Sequence, residues 1–523
     1  VRSMLKFTAV KHYWLPILSG IFIGTSYIPF PPWAALFGFV PLWIFWQRQT
    51  DLKSVIFGGM TTAFIFTLIG FNWMTYLLHE FAGLPWFLAV IGMILYALFA
   101  HTFVAIAGAT WFYVQKKFNC SQMLSFSLMA IMTMLSEAYS FTLFDWNFGY
   151  SWFGAGIPFY QLAEIIGFSG LSAITLAFNL PIYLAWQWRN DKRGQAILGV
   201  TVSLFLLLNI AGVVLQNTLP KPDSEFNVLM VQGNVGSMEK MAAESGDDYG
   251  QVILNRYLSL THDALEKHKN EKIDFVFWAE SAFPTFLGEH LTPQNDYPRQ
   301  LQEFLKAHNV PLITGAYGVK FPEKLLTNSL FLLNQKGEIL PPHYSKTILL
   351  AFGEYIPFEE FFPQIRNFLP PIGHFARGQG ATTLFNLNGL KLAPQICYEG
   401  LFAYFSRDLA NLGADVIVNV TNDSWYGAWQ QPYQHFYMTL ARGVEFRRPV
   451  LRVTNTGISS ASLASGKILQ RSPIYEQWAD VYQIPYLKNP PPTFYQQHFY
   501  LLPILLWITF FSLIILAWQR RPK

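Results

Sequence analysis

Eight stretches of the chain are apolar almost without interruption: residues 13–30, 33–47, 54–78, 86–115, 118–136, 166–188, 195–217 and 498–518. A helix needs about 20 apolar residues to cross the hydrocarbon core of a bilayer. These runs therefore predict eight transmembrane helices. The first two are parted only by the turn Ile28-Pro29-Phe30-Pro31-Pro32, and the second is short enough to be partly re-entrant. Residues 138–165 are apolar but irregular and contain Asp145 and Glu164. They read as an outer loop lying on the membrane rather than a ninth span.

Beyond residue 217 the pattern changes. Short β-rich runs recur at Phe226–Val231, Ile273–Trp278, Val310–Thr314, Ser329–Leu333, Leu390–Ile396, Val416–Val420 and Val450–Val453. Amphipathic helical patterns lie between several of them, at Val252–His268, Arg299–His308 and His435–Phe446. Strands alternating with helices predict a layered α/β domain. The expected organisation is a seven-span membrane domain over 1–217, an α/β domain over 218–490, and a closing span with its tail over 491–523.

Charge supports this division. Of 523 residues 52% are hydrophobic and 13% charged, too apolar for one soluble enzyme. Only 16 charged residues fall in 1–220 and three in 489–523, whereas 221–488 holds 49. With a cytoplasmic N-terminus, the inner segments collect Arg2, Lys6, Lys11, Arg48, Lys53, Lys116, Lys117, Arg189, Lys192, Arg193, Arg520, Arg521 and Lys523. The short outer loops then hold no Lys or Arg, only Glu80, Glu137, Asp145 and Glu164. This positive-inside pattern puts the α/β domain outside the cytoplasm and both termini within it. The first span has no small-residue cleavage site and runs straight into the second, so it reads as an uncleaved anchor. A net charge of +4 without a long basic run excludes a nucleic-acid partner. Gly20 and Gly24 read as a helix-packing pair, and His101 as a hydrogen-bonded structural residue rather than a proton relay. No span carries paired carboxylates or a central cation, which weakens a transporter reading.

The α/β domain carries the candidate chemistry. Cys397 is its only cysteine, and Cys120 falls near the cytoplasmic end of a span. A lone thiol outside the cytoplasm is either buried and inert or used. Cys397 ends an apolar strand run and opens Cys397-Tyr398-Glu399-Gly400. A strand-to-helix elbow of this kind presents a nucleophile with backbone N–H groups nearby as oxyanion donors. Glu280 directly follows another apolar run in WAESAFP, and Lys346 opens YSKTILLAFGEYIP. A carboxylate takes a thiol proton, and a lysine stabilises thiolate and oxyanion. Spacing alone does not bring the three together. The 11 histidines show no ligand spacing, and no Gly-rich phosphate loop is present, so neither metal nor cofactor is expected.

The order Glu280, Lys346, Cys397, with WAESAFP, YSKTILLAFGEYIP, CYEG and TNDSWYG, resembles the nitrilase (carbon–nitrogen hydrolase) superfamily and, over essentially the whole chain, its membrane-bound branch, the bacterial apolipoprotein N-acyltransferases. The resemblance implies an α-β-β-α sandwich with Cys397 as nucleophile, Glu280 as general base and Lys346 as stabiliser of thiolate and oxyanion. Glu354 would orient the lysine or assist proton transfer. Tyr398 and Glu399 would shape the pocket, and Asn422, Asp423 and Trp425 would form a loop near it. Met238 and Met241 follow the VQGN strand where the family often has a tryptophan.

The implied reaction is acyl transfer from a membrane phospholipid, expected to be phosphatidylethanolamine, through a Cys397 thioester to the N-terminal amine of a diacylated apolipoprotein, in the inner membrane and by a monomer. The apolar stretch with Phe361, Phe362, Phe368 and Leu369 has two equal readings: a buried core connection, or an arm that dips into the outer leaflet and admits lipid. Two rival functions stand beside this one: a membrane-anchored amidase that passes its acyl group to water, and a transport or scaffold protein without catalysis.

Overall fold

The computed structural model describes residues 2–118, 120–142, 144, 146–236, 249–288, 296–322, 324–367 and 373–519. Asp145, Met238, Met241, Phe368, Leu369, Arg520, Arg521 and Lys523 lie outside the described residues. The chain forms two compact units, one of Val1–Thr218 with Phe494–Lys523 and one of Leu219–Thr493.

The first unit is helical. Among the described residues, five stretches are long and apolar enough to cross a membrane: Leu52–Gly70, Trp86–Phe118, Pro158–Gln187, Lys192–Asn217 and Leu501–Gln519. Lys192–Asn217 and Leu501–Gln519 are apolar around nearly their whole circumference yet scarcely covered by protein, the surface lipid would cover. Asp51 and Asp191 start two of these helices by accepting from the N–H groups of Ser54 and Arg193 at 2.8 and 3.1 Å. The other expected spans are shorter or broken. The apolar part of the first is Tyr13–Gly24, and the second keeps only the eight-residue helix Val40–Gln47 after a series of turns. The 54–78 run is two helices, Leu52–Gly70 and Trp73–Glu80, because Gly70-Phe71-Asn72 interrupts it. The 118–136 run corresponds to the helix Gln122–Tyr139, which starts four residues later.

The 138–165 segment differs from its sequence reading. Trp146, Phe148, Tyr150, Trp152, Phe153 and Phe159 are buried against protein in this unit rather than lying on its surface. Tyr150, Trp152 and Phe153 belong to a short helix, Gly149–Gly154, and Phe159 to a 3-10 turn, Pro158–Leu162, while Trp146 and Phe148 precede the helix. Burying six aromatic side chains outweighs leaving them at a membrane surface. His101 has a structural setting, with Nδ1 2.7 Å from the Thr67 hydroxyl and the rings of Phe66, Phe71 and Trp146 around it. Gly20 and Gly24 sit where an added Cβ would come within 2.7–2.8 Å of Ile65 and Ile69, so they let two helices touch.

The second unit is a pair of sheets. β1 (Ser224–Gln232), β2 (Phe275–Trp278) and β3 (Leu312–Lys320) run parallel, and β4 (Leu325–Leu333), β5 (Ile339–Ser345) and β11 (Trp478–Tyr486) join antiparallel, giving the order β11-β1-β2-β3-β4-β5. The second sheet has the order β10-β9-β8-β7-β6, built from β6 (Phe385–Leu387), β7 (Leu390–Ile396), β8 (Val416–Thr421), β9 (Val450–Thr454) and β10 (Ser460–Ser462). Its central β7, β8 and β9 are parallel. β1 and β2 meet β9, and β4 meets β7, so the sheets face each other. Helices Tyr249–Lys267 and Tyr297–His308 bury Leu254, Tyr257, Leu301 and Leu305 against Val231, Trp278 and Phe331 of the first sheet. Helix Gln431–Leu440 packs on the second, at β9. These layers make the expected α-β-β-α sandwich.

Four strands have no counterpart in the sequence reading: β5, β6, β10 and β11. β6 and β10 have three residues each. β5 and β11 are sheet edges that contain prolines, Pro341 and Pro342 in one and Pro485 in the other, and proline is tolerated at an edge because one N–H row is unused. The expected helix His435–Phe446 is two helices, Gln431–Leu440 and Arg442–Phe446.

One close approach positions the first candidate residue. The Gly315 N–H donates to the Ala279 carbonyl at 3.3 Å and the Phe283 N–H donates to the Gly315 carbonyl at 3.1 Å, pinning the Glu280 turn to β3. A Cβ on Gly315 would lie 2.5 Å from the Ser281 nitrogen and 2.8 Å from the Glu280 Cα. Gly315→Ala should therefore lower the thermal midpoint of the detergent-purified protein by about 5 °C. Gly199→Ala, whose Cβ meets nothing within 4 Å, should leave it unchanged.

Candidate active site

The candidate residues sit where strands end. Glu280 is two residues past β2, Lys346 follows β5, Cys397 follows β7, and Asn422 and Asp423 follow β8. Sheet enzymes place chemistry at such ends because side chains there converge without interrupting a ladder.

Glu280, Lys346 and Glu354 come together in the interior. The Lys346 ammonium is 2.9 Å from the Glu354 carboxylate and 3.6 Å from Glu280 Oε1. Asn328, on β4, donates from Nδ2 to Glu280 Oε1 at 2.7 Å and to Glu354 Oε1 at 3.0 Å. The Leu350 N–H donates to Glu354 Oε2 at 2.9 Å. All four polar side chains are almost wholly buried. Burial opposes the charge on Lys346, but Glu354 and Glu280 outweigh it and hold the ammonium well above the usual lysine range. Burial likewise favours a neutral Glu354, but Lys346 and the Leu350 N–H hold it below the usual carboxylate range.

Cys397 lies in the field of both groups. Burial pushes its thiol up to about 12; Glu280 acts in the same direction and Lys346 against it. A standing thiolate is thus disfavoured, and removing the proton requires a base beside it. Its φ of +53° is the left-handed region, uncommon for a residue with a side chain. The chain enters it from β7 and leaves as the 3-10 helix Cys397–Leu401. This is the elbow expected from the sequence.

Glu399 braces that elbow from behind. The Tyr344 O–H donates to Oε1 at 2.6 Å, and the N–H groups of Thr347 and Ile348 do so at 2.6 and 3.0 Å. The Ile396 N–H donates to Oε2 at 2.8 Å. One carboxylate thus joins the segment holding Lys346 to the strand end holding Cys397. Burial pushes its carboxyl up to about 7 against these four donors.

Tyr398 is half-buried, its ring edge-to-face on Phe402 at 4.9 Å. Asn422 Oδ1 accepts from the Ser424 N–H and from Asn455 Nδ2. Asp423 is buried and bound to Arg452 and His435. Trp425 is half-buried. Phe361 and Phe362 are 75% and 60% exposed, so a core connection does not describe them. Asn328, Tyr344 and Tyr426 were not singled out from sequence. Tyr426 is buried and feels Cys397, Asp423, Lys346 and Glu280. The available signal was Asn328, a lone amide inside the apolar strand Leu325–Leu333, since a buried amide needs a partner.

Glu399 also predicts a pH effect. An acid held near 7 in the fold and near 4.5 when unfolded keeps its proton longer in the fold, so its contribution is full below about 4.5 and declines as the pH rises to about 7. That stretch of the thermal-midpoint profile should flatten in Glu399→Gln, which should also slow alkylation of Cys397 by about tenfold as the Ile396 N–H loses its acceptor.

Residues 227–481 match the Carbon-nitrogen hydrolase family, and residues 19–181 match the Apolipoprotein N-acyltransferase N-terminal domain. An apolipoprotein N-acyltransferase of Bdellovibrio bacteriovorus is 41% identical over 507 residues, covering 95% of this chain and 92% of its own length. One from Geobacter metallireducens is 27% identical, covering 89% and 88%. An amidase of known structure from Nesterenkonia sp. is 16% identical, with a TM-score of 0.37 over 55% of this chain and 98% of its own. With a relative of 41% identity along nearly its entire length, this chain belongs to the apolipoprotein N-acyltransferase family.

Proposed function

We propose that this protein is a multi-pass inner-membrane enzyme whose Cys397 carries an acyl chain from a phospholipid to the N-terminal amine of a diacylated lipoprotein. The observation that carries the reading is the buried Lys346 ammonium between Glu280 and Glu354, beside a thiol on a strand-end elbow. In this reading Glu280 takes the Cys397 proton as sulfur attacks the ester carbonyl, and Lys346 stabilises the oxyanion. Collapse of the tetrahedral adduct expels the lysophospholipid alkoxide, which takes the proton back from Glu280. The neutral α-amine then attacks the thioester, Glu280 accepts its proton, and the departing thiolate is reprotonated, leaving an amide. Glu354 keeps Lys346 charged and aimed. The sequence of two half-reactions is ping-pong.

The same reading takes phosphatidylethanolamine as donor and a monomer as the working unit. It places seven spans before residue 218 and one after residue 497, the termini cytoplasmic and the α/β unit periplasmic, as the basic residues distribute themselves. Incubation with phosphatidylethanolamine should add one acyl mass to the intact wild type and none to Cys397→Ser. A diacylglyceryl-cysteine peptide should discharge it as the N-acylated product. Discharge to free fatty acid at the same rate without the peptide would instead indicate a hydrolase.

Phe358, Phe361 and Phe362 are exposed on the segment after Glu354, which is tied by the Glu359–Arg366 ion pair. Exposed aromatic rings on a short loop suit contact with acyl chains. Replacing Phe361 and Phe362 with Ser should slow acylation by phosphatidylethanolamine about tenfold and leave acylation by a short soluble ester unchanged. Equal slowing of both would remove the lipid role.

A further inference from the structure

A second buried charge cluster touches the elbow through the Cys397 carbonyl. Arg452, on β9, is fully buried. Its Nη2 donates to Asp423 Oδ2 at 2.7 Å, and its Nη1 donates to Asn419 Oδ1 at 3.2 Å and weakly to the Thr439 hydroxyl at 3.5 Å. Asn419, on β8, donates from Nδ2 to the Cys397 carbonyl at 3.3 Å. His435 Nδ1 is 2.9 Å from Asp423 Oδ1. Among the described residues, Asp423 is the one carboxylate in ion-pair contact with Arg452.

We propose that Arg452 is a positioning residue for the nucleophile, acting through Asn419 on the Cys397–Tyr398 peptide. The inference rests on the acyl-transfer reading for its catalytic consequence, but not for its structural one. A trans peptide points its C=O and N–H in opposite directions. Asn419 holds the Cys397 carbonyl on its own side, so the Tyr398 N–H is turned the other way. Arg452 polarises the Asn419 amide, and linked hydrogen bonds of this kind strengthen one another in an interior. The left-handed Cys397 is thereby held in a conformation it would not keep alone. Arg452 also sets positive charge in the field of Cys397. Asp423 stays ionised opposite it, since Arg452 and His435 outweigh its burial.

The test uses full-length protein in a Cys120→Ala background, so that Cys397 is the only thiol. Three variants are compared: Asn419→Ser, Arg452→Gln and Arg452→Lys. Alkylation of Cys397 by iodoacetamide is followed by intact mass, and acylation by a short nitrophenyl ester gives kcat and KM. Asn419→Ser should slow alkylation and lower kcat by about tenfold with KM within about twofold, at a thermal midpoint close to the parent's. Arg452→Gln should lower both rates by about a hundredfold, and Arg452→Lys should recover at least about tenfold of that. Wild-type rates in Asn419→Ser would overturn the proposal, as would equal rates in Arg452→Gln and Arg452→Lys. If Arg452→Gln does not fold, Asn419→Ser decides by itself. A parent that alkylates but never acylates would refute the acyl-transfer reading while the alkylation series still tests the positioning role.

Discussion

Lys346 carries its ammonium into an interior closed to water, and an isolated charge there is strongly unfavourable. Two carboxylates answer it, Glu354 at 2.9 Å and Glu280 at 3.6 Å. Two carboxylates around one ammonium leave an excess of negative charge, and Asn328 supplies a shared donor to both. The requirement fixes much of the surrounding architecture. β2, β4, β5 and the Leu350–Tyr355 turn must each deliver a group to one small volume. Removing one partner would leave another buried charge uncompensated, which typically costs about 3–5 kcal/mol. The cluster is therefore a folding constraint.

The thiol is governed by the same electrostatics. Burial and Glu280 disfavour its anion, and Lys346 favours it. The sulfur is thus held as a thiol rather than a thiolate. This suits an enzyme whose intermediate is a thioester, because a standing thiolate outside the cytoplasm would be open to oxidation. The elbow is held from two sides. Glu399 ties it to the lysine-bearing segment, and Asn419 ties its carbonyl to Arg452. Neither contact depends on substrate, so the geometry is set before the acyl donor arrives.

The helical unit follows other rules. Several of its buried polar groups pair with one another across the unit: Thr67 with His101, Ser172 with Glu137, Asn179 with the Phe39 N–H. Its outward faces are apolar, as lipid requires. A reaction with acyl substrates gains from such a unit, since both the donor and the acceptor's diacylglyceryl group reside in the bilayer.

Much of this was legible in the residue pattern. Apolar runs marked the membrane unit, and the alternation of strands and helices marked the sandwich, because burial imposes period and length on the sequence itself. The strand β7 was read at its observed bounds, Leu390–Ile396, with Cys397 as its terminus. Short or proline-containing edge strands such as β5 escaped, since pairing with a neighbour rather than local pattern makes them strands. The burial of 146–159 escaped for a similar reason: aromatic runs look alike whether protein or lipid covers them. The sequence determined which groups were available, Glu280, Lys346, Glu354 and Cys397, and their order. Only the tertiary structure decided that strands distant along the chain bring Glu280, Lys346 and Glu354 within ion-pair reach and set Cys397 in their field. It alone made partners of Asn328, Asn419 and Arg452, because the need of a buried polar group for a partner is written in the chain, while the partner's identity is set by packing.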